Sequence, residues 1–197
     1  MKDAVRCFAA IELAPGELAD LLAATEALKA ADPDWSGEKW VAACNLHITL
    51  KFMGDVAGGQ LAALAERLGE AVGAVPAFEI KLAGVKAVPS ARRCSMVWAA
   101  FDDSADGACA SLAATIDDVA AEFEVEPDAR AFKPHVTLAR ARRPRRLAHE
   151  ALTCANAKLG ASHRSMSVPS VTFFASTLTR RGPIYERIGC WNLSSAR

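Results

Sequence analysis

No two of the six cysteines stand at C-x-x-C spacing; they fall at 7, 44, 94, 109, 154 and 190. A zinc knuckle or a redox dithiol is therefore not indicated, and a dense disulfide framework does not suit a chain of 197 residues. The thiols are expected to be reduced and mostly buried, in a cytoplasmic protein. No stretch of about 18 apolar residues is free of charge, so no membrane span is expected. Met1 to Arg6 carries an acid and lacks a long apolar segment, so it is not expected to act as a signal peptide. Neither G-x-G-x-x-G nor G-x-x-x-x-G-K-[ST] occurs, which leaves a glycine cradle for nucleotide phosphates without support. Net charge is missing as well, with 23 Lys+Arg against 23 Asp+Glu. Any binding of anions must come from local clusters, not from a bulk polycation.

What the chain does have is alanine, 42 residues of 197, together with four Trp and eight Phe. Alanine favours helices but fills little volume, so the aromatic residues must supply much of the core. Strands are expected at 5–12, 39–43, 46–52, 78–88, 94–101, 135–140, 167–177 and 184–193. Helices are expected at 17–31, 60–72, 105–123 and 147–157. Pro15-Gly16 is expected to stop the first strand, and Gly54 to Gly59 to form a loop. The second half echoes the first, no linker divides them, and hairpins come late in each half. That pattern indicates α+β, not a doubly wound parallel sheet.

Two of the four histidines open nearly the same tetrapeptide, His47-Ile48-Thr49-Leu50 and His135-Val136-Thr137-Leu138, 88 residues apart. In a strand, side chains alternate between faces. His47 and Thr49 then share one face, as do His135 and Thr137, with the aliphatic residues turned to a core. Two such strands across a pseudo-dyad present two imidazoles and two hydroxyls to one cleft. In-line displacement at phosphorus needs a base behind the attacking oxygen and an acid behind the leaving oxygen, which two opposed histidines supply near neutral pH. Hydroxyls can donate to the non-bridging oxygens. Lys51 has the same parity as His47 and Thr49 and would add a positive charge.

Other readings of these residues stand beside that one. A lone strand histidine is usually structural, and two histidines fall short of the three or four protein ligands zinc wants; neither a metal nor another cofactor is expected. His149 and His163 lack the flanking pattern and are read as surface or core residues. Arg140, Arg142, Arg143, Arg145 and Arg146 form a basic run directly after the second motif, and Arg92-Arg93 and Arg180-Arg181 sit in expected loops. Such runs are mostly solvated surface, yet this one adjoins the candidate site, where a polyanion backbone would pass. Trp40 and Phe52 flank the first motif and are candidates for stacking a base, although Phe52 has core-face parity.

The paired H-x-T-x motifs resemble those of the two-histidine (2H) phosphoesterases, and more closely the RNA 2′,3′-cyclic phosphodiesterase branch also called 2′-5′ RNA ligases. The resemblance extends over Arg6-Cys7-Phe8-Ala9-Ala10-Ile11-Glu12-Leu13, Lys39-Trp40-Val41, Asn45 to Asp55, Phe132 to Arg140, and Gly182-Pro183-Ile184-Tyr185-Glu186. It implies one bilobal α+β domain over 1–197, with two antiparallel sheets related by a pseudo-two-fold, facing a central cleft, and helices outside. It also implies metal-free hydrolysis of RNA ends bearing a 2′,3′-cyclic phosphate to 2′-phosphates. Carried over by motif, His47 is the proton donor to the leaving 3′ oxygen and His135 the proton acceptor from water. Thr49 and Thr137 hold the phosphate oxygens, and Arg140 lies near them. In a flat strand Arg140, five residues past His135, would face away, so a bend or strand end must bring it round. Sequence alone leaves the acid and base labels exchangeable.

Two rivals remain at this level: 2′-5′ ligation, in which an RNA hydroxyl replaces water, and a non-catalytic nucleotide or RNA binder, which has no need of two titrating groups. The expected partners are RNA ends or small nucleotides with a 2′,3′-cyclic phosphate, with no membrane, and the chain is expected to be a monomer.

Overall fold

A computed structural model describes residues 4–103, 107–159, 165–180 and 182–195. His163, Arg181 and the first three residues of the expected non-signal N-terminus lie outside the described residues.

The chain runs β1 (Ala4–Glu12), α1 (Pro15–Ala31), β2 (Lys39–Trp40), β3 (His47–Ala57), α2 (Leu61–Gly73), β4 (Phe78–Val88) and β5 (Cys94–Asp102). It continues α3 (Ala108–Ala121), β6 (His135–Arg145), α4 (His149–Leu159), β7 (Ser165–Val168), β8 (Ser170–Thr179) and β9 (Gly182–Asn192). The fold is α+β, as expected. One refinement concerns the two sheets: they are continuous, in the order β7-β4-β5-β6-β3-β1-β8-β9, with β2 paired to β6. The halves join where β3 and β6 meet antiparallel through Ile48 and Val136. The motif strands therefore lie side by side at the centre, and the sheet splits into two lobes there.

Local chemistry accounts for most boundaries. Pro15 begins α1 instead of merely ending β1, because an N-terminal proline forfeits no helical hydrogen bond. Asp103 caps α3 by accepting the Cys109 and Ala110 amides at 2.9 and 2.8 Å. In α2 the buried residues Leu64, Leu68 and Val72 recur every fourth position, one stripe against the sheet. The expected loop at Gly54 to Gly59 is strand as far as Ala57. Gly54 has φ +69° at an irregularity where Cys7 pairs with Gly54 and Phe8 with Phe52, a conformation a side chain would resist.

Helices α1 and α4 pack together, α2 packs on α3 and β9, α3 on β3, and α4 on β4. Nearly all buried hydrophobic residues on the helix side form one core, in which Trp35, Phe173, Ile11 and Ile48 are 1% exposed or less. Each such side chain contributes roughly 1.5–3 kcal/mol of transfer free energy. A separate small cluster of Phe8, Ala10, Phe174 and Tyr185 lies on the other face, lining the cleft. All six cysteines are free, but only Cys7, Cys94 and Cys109 are buried, fewer than expected. Burial pushes the Cys7 and Cys109 thiols up to about 12, which keeps them protonated and inert.

Candidate active site

The two motifs are built alike. In β3, Ala9 pairs with Lys51 and Ala10 with Thr49, so Leu50 is an extra residue. In β6, Val97 pairs with Ala139 and Trp98 with Thr137, so Leu138 is the extra residue. Leu50 and Leu138 stand at the same place in their motifs. A bulge shifts the side-chain alternation by one. Two consecutive buried residues mark each shift, Leu50 with Lys51 and Leu138 with Ala139.

That bulge corrects two readings and explains a third. Lys51 does not share the His47 face. It is 2% exposed, and its ammonium sits between Asp117 of α3 and Asp128 (3.2 Å), donating at 2.8 Å to the Glu126 carbonyl. Phe52, expected to face the core, is 44% exposed and carries the Arg6 guanidinium 4.3 Å above its ring. Arg140 is brought round to the cleft side by the same device. It is exposed, its Nη1 is 3.0 Å from the Met96 sulfur, and its charge is felt by His135 and Tyr185.

His47 and His135 both line the cleft, each partly exposed, as do Thr49 and Thr137. Each ring is oriented in the same way. The Nδ1 of His47 is 2.9 Å from the Asn45 carbonyl, and the Nδ1 of His135 is 2.8 Å from the Lys133 carbonyl. A carbonyl only accepts, so Nδ1 carries the proton in both rings and Nε2 is the nitrogen left for chemistry. The Nε2 of His47 lies 2.9 Å from the Thr49 hydroxyl oxygen. The ring planes are fixed by aromatic neighbours: Phe8 stacks on His47 at 4.8 Å, with Tyr185 edge-on at 5.5 Å, and Trp98 stacks on His135 at 3.7 Å. Sequence reasoning did not single out Phe8, Trp98 or Tyr185. The available signal was that Phe8 and Trp98 occupy strand positions whose parity turns them away from the core.

Electrostatics separates the two imidazoles. Burial lowers both pKa values below the usual 6.5. The Asn45 carbonyl and the Glu12 carboxylate pull His47 back upward, while the charge of His135 lowers it. For His135 the Lys133 carbonyl acts upward and Arg140 downward. A carboxylate thus favours the protonated form of one ring, and a guanidinium the neutral form of the other. Glu12 is held by Arg187 Nη2 at 2.9 and 2.7 Å and accepts from the Thr172 hydroxyl at 3.3 Å.

A cavity of about 500 Å³ opens beside His47, lined by Glu12, Asn45, Ile184, Tyr185 and Arg187 among others. His149 lies apart from this site, in a cavity of about 540 Å³ between β4 and α4. Trp40, the other stacking candidate, is partly buried against the core and donates through Nε1 to the Trp35 carbonyl at 2.8 Å. Among the described residues, no three His, Cys, Asp or Glu side chains gather to hold a metal, and no helix is long and apolar enough to cross a membrane.

A sequence model of the 2′-5′ RNA ligase superfamily matches residues 17–173. The RNA 2′,3′-cyclic phosphodiesterase of Methanothermobacter thermautotrophicus is 31% identical over 192 residues, 96% of this chain and 99% of its own. That of Aeropyrum pernix is 33% identical over 145 residues, 73% of this chain and 80% of its own. In three dimensions the chain is similar to a protein of Thermus thermophilus, with TM-score 0.77, 23% identity, and coverage of 98% and 100% of the two chains. It is also similar to E. coli LigT complexed with 3′-AMP, with TM-score 0.72, 24% identity, and coverage of 98% and 100%.

Proposed function

The chain belongs to the 2′-5′ RNA ligase superfamily, and from that premise we propose that it hydrolyses RNA ends carrying a 2′,3′-cyclic phosphate to 2′-phosphomonoesters, with His47 as acid and His135 as base. A relative that matches nearly the whole chain, and others that match about three quarters of it, are named for that substrate. The observation that carries the division of labour is the asymmetry of charge around two alike rings, Glu12 beside His47 and Arg140 beside His135. The cavity beside His47 supports it, because the ribose that keeps the leaving oxygen lies on the acid's side of the phosphorus and needs room there.

The cyclic phosphate lies between the imidazoles. His135 Nε2 takes a proton from water as the water oxygen bonds to phosphorus from its side. The P–O3′ bond breaks on the opposite side, and His47 Nε2–H delivers a proton to O3′. The product has a 2′-phosphate and a free 3′ hydroxyl; His135 then loses its proton to solvent and His47 regains one. Thr49 and Thr137 donate to the non-bridging oxygens, and the Arg140 guanidinium balances the charge that builds there. Each proton transfer contributes roughly 10²–10⁴ in rate. No step requires a metal, so chelators are expected to leave activity intact.

Only the state with one proton on the pair is productive, so kcat/KM follows a bell. The base fails as pH falls and it becomes protonated; the acid fails as pH rises and it becomes deprotonated. Because burial lowers both rings, the bell of the free enzyme is expected to centre below pH 6.5. An anionic substrate raises both rings, so the bell of kcat lies at higher pH. Steady-state rates on a cyclic mononucleotide from pH 4 to 9 check this. A bell centred above pH 8 in kcat/KM, or a flat profile, contradicts it.

A further inference from the structure

The two motif strands share a backbone design but not a rim. Past the bulge, β3 continues Phe52-Met53-Gly54-Asp55, while β6 at the equivalent positions continues Arg140-Ala141-Arg142-Arg143. The pseudo-two-fold therefore holds for the histidines, threonines and bulges, and fails in charge immediately beyond them. On the β3 side Asp55 stands directly opposite Arg6, so its charge is matched across the strands; along β6, Arg140, Arg142 and Arg143 are all exposed.

Pairing enlarges the basic side. Lys39 of β2 lies directly opposite Arg140 on β6, and Arg140 opposite Met96 on β5, so the three share one cleft-facing row. The next row is Thr137, Trp98 and Lys86. Lys39 and Lys86 are exposed. Arg145 is not part of this surface, since Asp34 and Glu38 hold it at 3.3 and 3.0 Å. Among the described residues, no ion pair engages Lys39, Arg140 or Arg143. The indole Nε1 of Trp98, a member of the second row, is buried without a hydrogen-bond partner among the described residues. Cations set beside the histidine cleft supply what a single-stranded nucleic acid requires of a backbone track, charge for its phosphates, while the Trp98 ring supports His135 at 3.7 Å.

Direction follows from strand order. Because β3 and β6 are antiparallel through Ile48 and Val136, β6 beyond Thr137 runs back past His47. The basic rim thus begins at the end of the cleft where the cavity beside His47 lies. We infer that the cations of these two rows, Lys39, Arg140 and Lys86, form a binding track for the RNA backbone on the 5′ side of the terminal nucleotide, so the enzyme selects oligonucleotide ends over cyclic mononucleotides. This inference rests on the proposed hydrolysis for its substrate. It adds a second phosphate subsite outside the His pair.

The test is the Lys39→Glu/Lys86→Glu variant on two substrates: 2′,3′-cyclic AMP and a short single-stranded RNA ending in a 2′,3′-cyclic phosphate. Both residues are exposed, and circular dichroism is expected to be unchanged. The double variant is expected to lose at least tenfold in kcat/KM on the oligonucleotide and to stay within twofold of wild type on the cyclic mononucleotide. The slope of log kcat/KM against log salt for the oligonucleotide should become shallower by about 1.4, from two lost contacts at roughly 0.7 each. Equal loss on both substrates, or no loss on the oligonucleotide, overturns the track. Binding of an RNA ending in a 2′-phosphate, read by fluorescence anisotropy beside 2′-AMP, needs no turnover. If wild type turns over neither substrate, the hydrolysis reading fails. The track then stands if charge reversal weakens the RNA alone by tenfold, and falls if it does not.

Discussion

His135→Ala is expected to lower kcat on a cyclic phosphate by at least 10², and His47→Ala by a similar factor, with little change in the affinity for 2′-AMP. A hundredfold loss corresponds to about 2.7 kcal/mol of barrier, which is what one positioned proton transfer supplies. Both rings are partly exposed and neither is in the main core, so each truncation leaves a folded protein. The variants are expected to differ with leaving group. A phosphodiester of an acidic phenol expels an oxygen that needs no proton, so His47→Ala should recover most of its activity there, while His135→Ala should not. Recovery in the reverse pattern exchanges the two roles. The double variant is expected to be little worse than the poorer single one, because the two residues act on one transition state. Full activity in either single variant removes the acid–base account.

Lys51→Met is expected to be the most destabilising single change near the site, by about 3 kcal/mol. The Lys51 ammonium is almost fully buried and ties β3 to α3 and to the segment that leads into β6. Removing one partner of a buried ion pair costs roughly 3–5 kcal/mol. The lower end applies because Asp117 and Asp128 are 22% and 62% exposed and water receives their charge. For a chain of this size that lowers Tm by about 6–12 °C. Where the variant remains folded, KM for a cyclic mononucleotide should stay within about threefold of wild type. A raised KM with unchanged stability would instead make Lys51 a phosphate contact, as its parity in a flat strand suggests.

The Lys51 result shows where sequence stops being legible. The HxTx repeat was readable because its period of two puts both polar residues on one face, and its recurrence 88 residues on implied a two-fold. The α+β class followed from alternating strand and helix patterns. The bulges at Leu50 and Leu138 were not readable, since nothing in H-x-T-L announces an unpaired residue; only the partner strands β1 and β5 reveal it. One missed residue per strand displaced Lys51 and Phe52 to the wrong faces and left Arg140 needing a bend. Glu12 was likewise invisible as a neighbour of His47, because their pairing is long-range, from the end of β1 to the start of β3. Phe8 and Trp98 escaped because a strand aromatic defaults to the core, whereas these two support the imidazoles from the cleft side.

The most direct measurement is to incubate the protein, with and without EDTA, with an RNA oligonucleotide ending in a 2′,3′-cyclic phosphate and to separate the 2′- from the 3′-phosphate products. Two opposed imidazoles that expel O3′ yield the 2′-phosphate alone, at the same rate in both samples, and none when either histidine is alanine. A 3′-phosphate product, or turnover that stops with chelator and returns with Zn²⁺, would contradict the arrangement.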